Sequence, residues 1–133
     1  MIRGERSLDH LLRGMNPVLH GGQYVFCALP HDAPVPSAAI AVFREEEATT
    51  IVIAREDAEG HRLDVVYAAA WITLTIHSDM DAVGFLAAIA TTLAEERISC
   101  NVISALYHDH LFVPYADGER AIEALRKLQR ARM

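Results

Sequence analysis

Ile72, Leu74 and Ile76 alternate with Thr73, Thr75 and His77, the two-residue period of a strand with one buried and one polar face. The segment after this strand constrains the fold more than any other feature of the chain. Beyond Ser78-Asp79, apolar Val83, Leu86, Ala90, Leu93 and Ala94 recur at intervals of three, four and seven, which predicts an amphipathic helix over about 81–96. Residues 98–107 and 111–113 read as two strands about a tight turn near His108-Asp109. Asp117 then caps a last helix to about 131, in which Ala121, Leu125 and Leu128 share a face and Lys127, Arg130 and Arg132 crowd the C-terminal end. The order strand, helix, strand, strand, helix is a split βαβ unit that lacks one strand. Since the sequence ends on that helix, the closing strand is expected from upstream, and Gln23–Leu29 has the length and apolarity for it.

The upstream residues are mostly β-type. Ser7 caps a short helix that stops at Gly14, and Asn16-Pro17 breaks the chain there. Gln23–Leu29 follows the flexible Gly21-Gly22, and Pro30, Pro34 and Pro36 mark a loop. Residues 38–43 and 50–54 form a hairpin about Arg44–Ala48, 55–60 one helical turn, and 63–67 a further short strand. The fold class is therefore α+β: a ferredoxin-like βαββα half over 66–133, its sheet completed by a β-rich half over 1–65, the two forming one compact folding unit.

Hydrophobic residues make up 52% of the chain and charged residues 23%, which is enough apolar material for a packed core. A net charge of −6 supplies no global positive field for nucleic acid or an anionic membrane, so neither is an expected partner. The chain contains no run of about 18 apolar residues and no signal-like start, which predicts a cytoplasmic protein. Cys27 and Cys100 each sit in an apolar run without a metal-ligand spacing and are expected to be buried free thiols.

Reactive groupings are sparse. His108, Asp109 and His110, with His77, are chemically able to bind a divalent cation, but neighbours in a tight turn diverge. Solvated imidazoles on a hairpin are the plainer reading, and no metal site is assigned. Glu45-Glu46-Glu47 reads as a solvated turn. Cys100 with His108 lacks the glycine motifs of a nucleophile site, and no phosphate-binding loop is present. Neither catalysis nor a cofactor is expected.

Ile72–His77, Ser78–Gly84, Leu93–Asn101, Val102–Tyr107 and His108–Pro114 together resemble the ACT domain. More narrowly they resemble a bacterial family of small ACT-like proteins with a VhS...VG helix start, an IsxNV turn and a YHDHxFVP hairpin. Met15-Asn16-Pro17, Gly22–Phe26 and Phe43–Glu47 look like that family's N-terminal part. The resemblance implies two ACT-like units side by side and a non-catalytic regulatory role. It further implies a small polar ligand, such as an amino acid, held at the loop between the first strand and helix, and a homodimer. The corresponding ligand-binding residues are His77, Ser78, Asp79, Val83, Gly84, Asn101, Val102 and Ile103. Free N–H groups at that helix start suit a carboxylate, and Gly84, read as lying inside the helix, marks a close approach to the backbone. The sequence departs from the usual pattern: Ser78, Asp79 and Met80 stand where a glycine is common, and Asp79 and Asp81 favour a basic ligand. The alternative is an interaction module of ACT-like fold without a ligand.

Overall fold

The alternation that opens the second half marks the strand at the centre of the observed architecture, shifted towards the N-terminus. The computed structural model describes residues 3–133. In chain order the elements are α1 (Leu8–Gly14), β1 (Pro17–Leu19), β2 (Tyr24–Leu29), β3 (Ala41–Arg44), β4 (Thr49–Ala54), α2 (Arg55–Gly60) and β5 (Tyr67–Leu74). They continue with α3 (Phe85–Glu95), β6 (Asn101–Ser104), β7 (Asp109–Pro114), a 3-10 turn (Tyr115–Asp117) and α4 (Gly118–Ala131). The chain divides into two units, 1–20 with 70–133, and 21–69.

In the larger unit β5 lies between β1 and β7, with β6 outside β7. The sheet position left open in the βαββα half is filled by Pro17–Leu19, antiparallel to Leu74–Ile72. Asn16-Pro17, read as a mere break, thus leads directly into a strand. Pro17 is tolerated because it is that strand's first residue. The residues expected to close the sheet, 23–29, also join β5, pairing with Tyr67–Ala69 at its start as well as with β4.

Ala70, Ile72 and Leu74 face the helices and are 3%, 0% and 0% exposed. Onto them pack Leu11, Leu12 and Met15 after the Ser7 cap, Phe85, Ile89 and Leu93 of α3, and Ala121, Ile122 and Leu125 of α4. Each large apolar side chain so buried contributes roughly 1.5–3 kcal/mol. The buried stripe of α3 differs from the expected one. Val83 is 83% exposed because Gly84 is left-handed (φ +92°) and the helix begins only at Phe85, which resets the phase. At its far end, Arg120 donates to the Glu96 carbonyl at 2.7 Å, satisfying one of the carbonyls a helix leaves open.

In the smaller unit β2 pairs with β4 and β4 with β3, all antiparallel. Val25, Cys27, Leu29, Ile51, Ile53 and Ala58 form its separate core. The proline-rich segment 30–40 is a loop held by turns such as Ala33 N–H to the Pro30 carbonyl at 3.0 Å. Among the described residues no helix is long and apolar enough to cross a membrane.

Candidate functional site

β5 ends at Leu74, and residues 75–84 turn irregularly before α3 begins. The Asp79 carboxylate makes the first tight turn: its Oδ1 accepts from the Asp81 N–H at 2.8 Å, and its carbonyl accepts from the Ala82 N–H at 2.9 Å. Gly84 then supplies the positive φ from which the helix departs. No side chain caps this helix start. The first N–H groups of α3 therefore lack the partner that most helices provide.

Beside them lies a small cleft of about 140 Å³, lined by Ser78, Asp79, Phe85, Leu86, Ser104 and Asp109 among others. Its floor is polar. Ser78 Oγ donates to Asp109 Oδ2 at 2.8 Å, and Ser78 and Asp109 are 9% and 5% exposed. The Asp79 side chain is 3% exposed, and its Oδ2 accepts no hydrogen bond from the described residues. Arg3 Nη1 stands 3.6 Å from that oxygen, and Arg6 Nε 3.7 Å from Oδ1.

These guanidiniums arrive on an N-terminal strap. Glu5 donates its N–H to the His77 carbonyl at 2.7 Å and accepts from the Asp79 N–H at 2.9 Å. Gly4 lies flat on this loop: a Cβ there would stand 2.5–2.7 Å from the His77, Ser78 and Asp79 backbone. The Asp81 N–H chiefly holds the Asp79 carboxyl below the usual carboxylate range. The Gly4 N–H and then Arg6 and Arg3 act in the same direction, against burial.

Of the residues expected at a ligand site, Ser78, Asp79 and Gly84 line the cleft. His77 turns its ring to Tyr107, with centroids 5.2 Å apart. Val83 points outward. Asn101, Val102 and Ile103 lie along β6 away from the cleft: Asn101 pairs with Phe112, three places from the Ser104–Asp109 pair that lines it, or roughly 10 Å at the strand rise. Ser104 and Asp109 were missed. A signal existed for Asp109, since it is in phase with Leu111 and Val113, on the buried face of its strand rather than in the turn.

The other face of β5 carries a second polar cluster. His20 stacks on Trp71 with centroids 3.6 Å apart, and its Nε2 lies 2.7 Å from Thr73 Oγ1. That hydroxyl is 3.0 Å from His110 Nδ1. His110, suspected as a turn residue, is thus a strand residue held by Thr73 and Trp71, and its ring centroid stands 6.4 Å from that of His108. Among the described residues no three His, Cys, Asp or Glu side chains gather closely enough to hold a metal ion. Cys27 is buried and Cys100 half-buried, and burial pushes the Cys100 thiol up to about 11.

The strand order defines the class: a ferredoxin-like α+β module. Two family models described as ACT domain match residues 3–70 and 66–127. The chain belongs to the ACT-domain family. It is 41% identical to a Vibrio cholerae protein of unknown function described as a possible transport protein. The match covers 93% of this chain and 97% of that one, with a TM-score of 0.80. An Agrobacterium tumefaciens protein matches at 19% identity over 85% and 87% of the two chains, with a TM-score of 0.65. The regulatory subunit of aspartate kinase from Thermus flavus matches at 8% identity over 84% and 95%, with a TM-score of 0.64. These last two show likeness of fold. No curated protein matches the chain.

Proposed function

We propose that this chain is a regulatory ACT-domain protein that binds a free α-amino acid in the α3 cleft without transforming it. One observation carries the reading. The same small cleft is lined by the first residues of α3, whose start no side chain caps, and by the buried residues Asp79 and Asp109. A helix start attracts an anion and a carboxylate attracts an ammonium, so a zwitterion satisfies both ends of the cleft together. Its volume of about 140 Å³ lies below the ~300–1,000 Å³ of sites that enclose drug-sized molecules, which favours a small ligand. Membership of the ACT family and a fold shared with regulatory subunits of aspartate kinase support a regulatory rather than a catalytic role. The residues assigned to the ligand are Ser78, Asp79 and Gly84, joined by Ser104 and Asp109.

A thermal-shift screen with the twenty amino acids, followed by calorimetry on any hit, tests the reading. A ligand at 100 times its Kd raises stability by about 2.7 kcal/mol. No shift and no binding heat with any amino acid rejects it. The interaction-module reading then gains, supported by exposed Met80, Val83, Leu106 and Tyr107 on the loops of this unit. Sedimentation at high micromolar concentration, expected to show a homodimer, measures self-association separately.

A further inference from the structure

We infer that Asp109 is the residue that receives the ligand's ammonium group, an assignment that rests on the amino-acid reading of the cleft. Asp79 and Asp109 both line the cleft, yet their surroundings differ in one respect. Asp79 stands within 4 Å of two guanidiniums and takes the Asp81 N–H. Asp109 is just as buried, at 5% exposure, and takes only the neutral Ser78 hydroxyl. Among the described residues it has no ion pair: Arg3 and Arg6 are engaged with Asp79 and Asp81, and the neighbouring His110 is held by Thr73 and Trp71 on the other face of the sheet. A buried carboxylate is expensive unless a cation or several donors compensate it, and one hydroxyl is a small compensation. The cleft is the open side from which a counter-charge can arrive. Asp79, whose Oδ2 is buried and takes no hydrogen bond from the described residues, lines the same cleft.

Asp109 therefore sets specificity. It selects molecules bearing a free amine and rejects N-acylated ones, while the α3 N–H groups read the carboxylate. Ser78 is a positioning residue that fixes the carboxylate's rotation through Oδ2 and leaves Oδ1 for the ligand. Asp109→Asn keeps an acceptor oxygen for Ser78 and removes only the charge, so the fold is expected to survive it.

The test uses the full chain, wild type and Asp109→Asn, with four probes in thermal shift and calorimetry: the L-α-amino acids, their N-acetyl derivatives, methylammonium chloride and magnesium chloride. The expected result has three parts. The variant without ligand melts at or above the wild-type temperature, because an uncompensated charge has gone. An amino acid that shifts the wild type binds Asp109→Asn on the order of 100-fold more weakly. Its N-acetyl derivative binds neither. Equal binding to both proteins, or equal binding of the N-acetyl derivative, overturns the assignment while leaving amino-acid binding intact. A large drop in the variant's melting temperature also overturns it, by making Asp109 a structural carboxylate. If no amino acid binds but methylammonium stabilises only the wild type, Asp109 stands and the amino-acid reading falls; if neither binds, both fall. Stabilisation by magnesium alone, lost in Asp109→Asn, overturns the ammonium assignment in favour of a metal.

Discussion

Trp71 donates its indole N–H to Nδ1 of His110 at 3.1 Å, and because that N–H can only donate, His110 is held neutral with its proton on Nε2. Thr73 Oγ1 lies 3.0 Å from the same nitrogen and 2.7 Å from Nε2 of His20, so its hydroxyl bridges the two imidazoles. A polar chain thus runs from His20 through Thr73 to His110, where Trp71 anchors it.

Acid breaks this chain. Burial lowers the His110 pKa, with the nearby His108 and His20 acting in the same direction and Asp109 against them; burial also lowers that of His20. Both folded-state values lie below the unfolded 6.5, so the unfolded chain binds more protons between them. This contribution to stability is complete above about pH 6.5 and is lost as pH falls below it. Trp71 is the only tryptophan, so its emission reports the change directly. We expect the emission to titrate below pH 6.5. In His110→Gln, where an amide oxygen accepts from Trp71 without titrating, the fall in melting temperature between pH 7.5 and 5 should be smaller than in the wild type. Identical profiles contradict the network.

Asp79 acts in a lower window. Its folded pKa is depressed below 3.8, so its contribution is present above that value and disappears as pH falls through the folded value. Urea unfolding of Asp79→Asn should show a deficit against wild type at pH 7 that narrows as pH falls below 3.8. The deficit should also shrink in high salt, since Arg3 and Arg6 are more than half exposed.

Gly4→Ala tests the strap. The added Cβ would stand 2.5 Å from the His77 carbonyl oxygen, and rigid backbone cannot yield, so the strap must lift. Losing the two backbone bonds of Glu5 costs on the order of 1–3 kcal/mol. Hydrogen exchange should show faster exchange at Glu5 and Asp79, the donors of those bonds, with the β5 core unchanged. Wild-type protection at both amides in the variant rules this out.

Gly84→Ala separates backbone strain from crowding. A Cβ there meets only Leu8 Cδ2, at an ordinary 3.7 Å, so the expected cost of about 1–2 kcal/mol comes from the positive φ alone. Denaturant titration measures it. A neutral substitution would mean that the turn relaxes freely.

Much of this protein was legible in the sequence. The two-residue period through Ile72 and Leu74, the apolar stripe of α4 and the Ser7 cap are local patterns, and each emerged as an element of the expected kind because side-chain direction follows from strand and helix geometry alone. The motif places the expected ligand loop around residues 78–85, and Ser78, Asp79 and Gly84 line a cleft there. Three things were decided only in three dimensions. Pro17–Leu19 closes the larger sheet, though three residues carry too little periodicity to reveal a strand whose partners are more than fifty positions away. Asp109 became a cleft residue because β7 begins at it rather than after it, a shift of two residues set by pairing with Ser104. And the difference between Asp79, clasped by Arg3 and Arg6, and Asp109, met only by Ser78, depends on which distant charges the fold brings within reach. Electrostatic partnership acts through space, and sequence spacing does not encode it.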